Sequence, residues 1–205
     1  MRQRALSFLL AAVLALALVP TAWAAETFTD VPSTHWAYDD IQACAESGIV
    51  TGMGDGKFHP NDNVTGIQFI VMLTRTFYND MVEAARETET SSWYAPNMKV
   101  ANDVNMLKFD AVVKDAAMNR YEMAKVLYCV LRQEGKTTSV TDSSDTQSKI
   151  KDYDSIPSNR QTQVEICYYL GVLTGMSDST FSGSQSMTRA QACAIIVRMM
   201  NLIHE

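Results

Sequence analysis

The chain repeats itself. Shifted by 123 residues, Gly48-Ile49 falls on Gly171-Val172, Gly52-Met53 on Gly175-Met176, Asp55 on Asp178, Phe58 on Phe181, Thr65 on Thr188, Gln68 on Gln191 and Arg75 on Arg198, with no gap over that span. One deletion carries the match back to Phe28-Thr29-Asp30-Val31 against Ile150-Lys151-Asp152-Tyr153, and Cys44 falls on Cys167. A weaker copy lies between the two. Trp93-Tyr94-Ala95 answers Trp36-Ala37-Tyr38, and Met118-Asn119-Arg120-Tyr121-Glu122 answers Val64-Thr65-Gly66-Ile67-Gln68, but the Gly-Met turn is missing and Asn105-Met106-Leu107 stands in its place. A unit of this size cannot bury its apolar face alone, so the copies must pack on one another.

Each copy reads as helix, loop, helix, and the fold class expected is mainly α. In the first, residues 36–47 carry Ile41, Cys44 and Ala45 at helical spacing and run into Gly48, a residue suited to a left-handed C-terminal cap. Residues 51–63 are rich in Gly, Asp and Asn, with Phe58 as the expected anchor into the core. The second helix opens in every copy on a capping box: Thr65 with Gln68, Asn119 with Glu122, Thr188 with Gln191. Behind the caps run three apolar stripes: Phe69, Met72, Leu73 and Phe77; Ala124, Leu127, Tyr128 and Leu131; Ile195, Ile196, Met199 and Met200. These are read as core, the methionines filling gaps between helices. The acidic residues 83–92 read as a helix end and turn, and the polar residues 137–149 as a linker.

The first residues bear on compartment. Arg2 and Arg4 precede an apolar run over residues 5–19, followed by Pro20 and Ala22-Trp23-Ala24. The run is shorter than the roughly 20 residues that span a bilayer, and the small residues at 22 and 24 suit a signal peptidase, so cleavage is expected after Ala24. No later stretch has membrane length. The formal charge of −6 argues against a nucleic-acid partner held by a general basic face. The four cysteines (Cys44, Cys129, Cys167, Cys193) match no zinc spacing. Their even number allows bridges outside the cell, while their apolar surroundings fit small buried thiols.

The pattern Phe28-x-Asp30-Val31, Trp36-Ala37, Ile41, Gly48-Ile49, Gly52, Asp55-Gly56, Phe58, Pro60, together with the capped Thr188-Arg189-Ala190-Gln191, resembles the S-layer homology (SLH) domain. The resemblance implies three consecutive motifs packed as one pseudo-threefold unit around a central helical bundle. The expected organisation is a signal peptide (1–24), repeat 1 (25–80), a degenerate repeat 2 with a shortened loop (81–136), a polar linker (137–149) and repeat 3 (150–205). It further implies grooves between repeats that bind an anionic, pyruvylated secondary cell-wall polymer and hold the protein on a bacterial surface.

Arg189 and Arg120 take the second place of the family's Thr-Arg-Ala-Glu signature. A cation in the first turn of a helix opposes the helix dipole, so stability alone favours an acid there. With free backbone donors beside it, such an arginine offers a fork for a carboxylate. The binding residues expected from the resemblance are Arg189, Arg120, Asp152, Asp30, Trp36, Thr188, Gly175, Met176, Gly52 and Met53, with the groove of Arg189 as the main site. Repeat 1 has Gly66 where the arginine belongs, leaving that groove empty or served by Lys57 or His59, and fewer than three working sites are expected. Trp36 also reads as a core anchor and Asp30 as a helix cap.

No catalytic constellation emerges. His35, His59 and His204 have no nucleophile setting beside them, and no metal-protease or phosphate-loop motif occurs. The Asp55-Gly56 loop lacks the spaced carboxylates of a calcium site. No cofactor or metal is expected. The reading is a non-catalytic wall-binding module whose partner is a secondary cell-wall polysaccharide or a peptidoglycan-linked polymer. The alternative is a small secreted protein that uses the same fold for assembly with an envelope protein.

Overall fold

A computed structural model describes residues 28–107, 115–137 and 143–204. The expected leader at 1–24, the part of repeat 2 at 108–114 and the part of the linker at 138–142 lie outside the described residues.

The elements follow the predicted order. Helix α1 (Tyr38–Glu46) buries Ile41 and Cys44 and ends at Gly48, whose φ of 68° is the left-handed cap. Helices α2 (Gly66–Phe77) and α3 (Asn79–Ala85) come next, and α3 occupies the start of the acidic stretch. Helix α4 (Ala95–Asp103) opens the second copy and α5 (Arg120–Gln133) closes it. Then come α6 (Ser143–Ser148), a 3-10 turn (Tyr153–Ser155), α7 (Ser158–Tyr169) and α8 (Arg189–His204). The described residues are mainly helical, and their only sheet-like pairings are isolated bridges.

All three capping boxes form. The N–H of Gln68, Glu122 and Gln191 donates to the side chain of Thr65, Asn119 and Thr188, and each third-residue side chain accepts the N–H of its cap. Of the predicted stripes, Phe69, Leu73, Leu127, Leu131, Ile195 and Met199 are buried, while Phe77, Tyr128 and Met200 pack at the margin. Phe58 and Phe181 are fully buried loop anchors. The four cysteines are buried and unbridged.

The residue before each cap closes a ring. Met118 N donates to Val64 O at 3.0 Å, Met187 N to Met118 O at 3.0 Å and Val64 N to Met187 O at 2.9 Å. One step further on, Gly66 N reaches Ala116 O, Arg120 N reaches Gln185 O and Arg189 N reaches Asp62 O. Helix packing obeys the same order: α4 lies on α2, α7 on α5 and α1 on α8, so the second helix of each copy receives the first helix of the next.

Two expectations change. The polar stretch read as a linker contains α6, which packs on α7 through buried Thr146 and a Gln147–Glu165 hydrogen bond of 2.9 Å. All six of its residues are polar, so no apolar periodicity marks it in the sequence. Trp36 is 63% exposed, which removes its reading as a core anchor. No helix among the described residues is long and apolar enough to cross a membrane.

Candidate functional site

The loop between the paired helices is fixed from behind by a carboxylate. Asp30 accepts the N–H of Phe58 at 2.8 Å and of His59 at 2.7 Å, and Asp152 accepts those of Phe181 and Ser182 at 2.6 and 2.9 Å. Each loop then folds back on itself, with Met53 N on Lys57 O and Met176 N on Thr180 O. Gly52 is required at its turn because a Cβ there would stand 2.9 Å from Lys57 O and 3.1 Å from the Phe28 ring. The result is a rigid Gly-Met edge in copies one and three.

The arginines bind these loops across the seams. Arg189 of α8 sends Nε to Phe58 O (2.9 Å) and Nη2 to Thr51 O (3.1 Å), its guanidinium 4.4 Å from the Phe58 ring centre. Arg120 of α5 sends Nε to Phe181 O (2.7 Å) and Nη2 to Thr174 O (2.5 Å), 4.6 Å from the Phe181 ring, with Nη1 against Met187 Sδ. They are only 9% and 5% exposed. Burial lowers the pKa of both groups, yet guanidinium remains charged at any physiological pH. The carbonyl oxygens and the aromatic face replace the water each cation loses.

Two grooves open beside these seams. The first, about 340 Å³, brings together Gly52, Met53, Gln68, Arg75, Arg189 and Trp93. The second, about 570 Å³, brings together Gly175, Met176, Gln191, Arg198, Arg120 and Trp36. The same repeat positions line both, the Gly-Met turn, the glutamine and two arginines, each with the tryptophan of the next copy. Trp93 is 62% exposed, so both indoles present a face to solvent.

Seven of the ten expected residues line the two grooves. Arg189 shares a groove with Gly52 and Met53 of the first loop, and Arg120 shares one with Gly175 and Met176 of the third, so each arginine serves a loop of another copy. Trp36 belongs to the second groove. Asp30, Asp152 and Thr188 line neither groove: the carboxylates clasp loops and the threonine caps α8. The backbone donors expected to be free at the helix starts are spent. Arg189 N and Ala190 N bind Asp62 O and Pro60 O, and Arg120 N and Tyr121 N bind Gln185 O and Gly183 O. His59, a suggested stand-in for the missing arginine of repeat 1, pairs with Asp55 at 2.9 Å and faces Asp62 at 3.7 Å.

Sequence reasoning missed Arg75, Arg198, Gln68, Gln191 and Trp93 as groove residues. Each had a repeat partner in register, which was the available signal, but registry does not say which face is wet. Arg75 and Arg198 each make one long bond, 3.3 Å to Ile49 O and 3.4 Å to Val172 O. Neither forms an ion pair with a described residue.

Comparison with known proteins agrees with part of this picture. The family model for the S-layer homology domain matches residues 27–70 and 149–193, the first and third copies. An S-layer protein of Bacillus thuringiensis subsp. finitimus is 24% identical over 193 residues, covering 92% of this chain and 23% of the relative. An amylopullulanase of Thermoanaerobacterium thermosulfurigenes is 28% identical over 182 residues, 85% of this chain and 10% of the enzyme. Outer membrane protein SlpA of Thermus thermophilus is 35% identical over 65 residues, 32% of this chain and 7% of that protein. The chain thus spans less than a quarter of the length of each of these relatives.

Proposed function

We propose that the chain is a non-catalytic module that attaches to a bacterial cell surface by holding an anionic, pyruvylated secondary cell-wall polymer in the Trp93 and Trp36 grooves. The observation that carries this reading is the duplication of one surface site: an exposed indole facing an unpaired arginine across a rigid Gly-Met edge. An indole face suits the apolar side of a sugar ring, and a guanidinium beside it suits a carboxylate. The relatives add support, because this chain matches only 23% of the length of two S-layer proteins and 10% of an amylopullulanase, as an attachment segment shared by larger proteins would.

In this reading the three copies (25–80, 81–136 and 150–205) form one pseudo-threefold unit of the S-layer homology kind after removal of a leader at 1–24, and the hydrogen-bonded ring of Val64, Met118 and Met187 supports it. Arg189 and Arg120 shape the grooves from below, Gly52, Met53, Gly175 and Met176 form their edges, and Arg75 and Arg198 meet the ligand's charge. Asp30, Asp152 and Thr188 contribute by holding loop and helix in place. The buried state of Arg120 and Arg189 also favours a second reading, in which the fold serves assembly with an envelope protein.

Co-sedimentation with sacculi that carry a pyruvylated polymer decides between them. Wild-type protein is expected to pellet with intact sacculi and to stay in solution once acid has stripped the polymer. A Trp36→Ala, Trp93→Ala double variant should lose roughly tenfold or more in binding with its melting temperature nearly unchanged, since both side chains are exposed. Wild-type retention by this double variant would reject the grooves as the binding site.

A further inference from the structure

Cys44 on α1 and Cys193 on α8 are buried in the two packed helices that adjoin the Trp36 groove. Helix α1 begins two residues after Trp36, and α8 lines the groove with Gln191, Ala194 and Arg198. The helices pack together, both thiols are fully buried, and Cys44 Sγ stands 3.8 Å from Cys193 O. At the matching places in the Trp93 groove stand Ala101 on α4 and Ile70 on α2, both buried and neither able to cross-link. Cys167 repeats the contact of Cys44 on the α7–α5 pair, but its sulfur meets the carbonyl of Ala124, 3.5 Å away, where α8 has Cys193.

We propose that Cys44 and Cys193 form a disulfide that fixes α1 to α8 and so locks the Trp36 groove, and that groove alone. The importance of locking it rests on the proposed binding function; the bond itself does not. The oxidant is a small-molecule or protein disulfide. One cysteine thiolate attacks it, releasing one thiol and leaving a mixed disulfide, which the second thiolate then attacks to release the other thiol. The two protons end on the released thiols and the two electrons in the reduced reagent. The neighbouring Cys44 and burial both raise the pKa of Cys193, and burial of both sulfurs makes the folded thiols slow to react, so the bond forms as the chain folds.

The test is to refold the reduced, denatured chain in a mixture of reduced and oxidised glutathione, and in parallel in reductant alone. Remaining thiols are then alkylated under denaturing conditions and the peptides mapped. The expected result is a peptide containing Cys44 joined to one containing Cys193 in the oxidised sample. Amides of α1 should then exchange about tenfold more slowly than in reduced protein, with α4 unchanged. A Cys44→Ser variant should show neither effect. Recovery of both cysteines alkylated after oxidative refolding, or of either joined to Cys129 or Cys167, overturns the proposal, and equal exchange of α1 in the two samples overturns the locking. Sacculus binding absent from both redox forms would remove the groove reading while leaving the cross-link in place.

Discussion

The seams at Arg120 and Arg189 are near copies, and the seam at Gly66 is not. In all three, the N–H after the cap crosses to a carbonyl of the neighbouring copy. In two of them a guanidinium then runs under a loop, binds two carbonyl oxygens and covers a buried phenylalanine. At Gly66 the crossing is backbone alone, and the loop it would have supported belongs to the copy that lost its Gly-Met turn. Loop and arginine from different copies have decayed together. A seam is therefore the functional unit, and a repeat is only half of each of two seams.

This comparison predicts where the molecule is fragile. Arg120→Ala should be the most damaging single change, because it strands Phe181 O and Thr174 O and empties the space under the loop. The expected cost is about 3–5 kcal/mol, or on the order of 10 °C in melting temperature. Arg189→Ala should cost somewhat less, since Arg189 lacks the third contact that Arg120 Nη1 makes with Met187 Sδ. Arg120→Lys should recover less than half of the loss, because an ammonium cannot span two carbonyls as a planar fork does. Arg75→Ala and Arg198→Ala, each removing one long and partly wet bond, should stay within about 1 kcal/mol. Urea unfolding of the five variants checks the ranking, and a larger loss at Arg198 than at Arg120 would reverse the assignment of structural and ligand-facing cations.

The glycines sharpen the comparison between the two intact loops. A Cβ on Gly183 would fall 2.1 Å from the Tyr121 ring, which itself lies 5.8 Å from the Phe181 ring, so Gly183→Ala must displace an aromatic pair. A loss of about 2–3 kcal/mol is expected. Gly52→Ala meets backbone oxygen at 2.9 Å and should cost about 1–2 kcal/mol, whereas Gly175→Ala meets it at 3.3 Å and should cost less than about 1 kcal/mol. Chemical denaturation at neutral pH orders the three; equal losses at Gly52 and Gly175 would mean that the first loop is no tighter than the third.

Most of the helices were legible because two strong local signals coincided at each second helix, the capping box and the apolar stripe. The buried anchors Phe58 and Phe181 were legible because the repeat conserved their distance from the cap. The grooves were legible only in part. The family resemblance pointed to Gly52, Gly175, Arg120 and Arg189, but the loop each arginine binds comes from another copy, and nothing local encodes the order in which the copies close. Trp36 illustrates the limit: an aromatic beside a helix start looks the same whether it caps the core or lies open across a neighbour's loop. The helix α6 was hidden for a different reason, its stability coming from contact with α7 and not from its own six residues.

The loop clasp at Asp30 can be tested by pH. Burial raises the pKa of Asp30, but the N–H groups of Phe58 and His59 outweigh it, and the folded carboxyl titrates below its ordinary value. A depressed carboxyl adds stability that is complete above its unfolded pKa of about 3.9 and is lost as the pH falls through the lower folded value. Asp30→Asn keeps one acceptor oxygen, turns an amide donor toward the other N–H, and should cost about 1 kcal/mol at neutral pH. Since asparagine does not titrate, the stabilities of wild type and variant should converge as the pH is lowered from about 5 toward 3. Urea midpoints measured across that range check this. A gap that persists undiminished at the acid end would show that Asp30 holds the first loop by shape, with its charge contributing nothing.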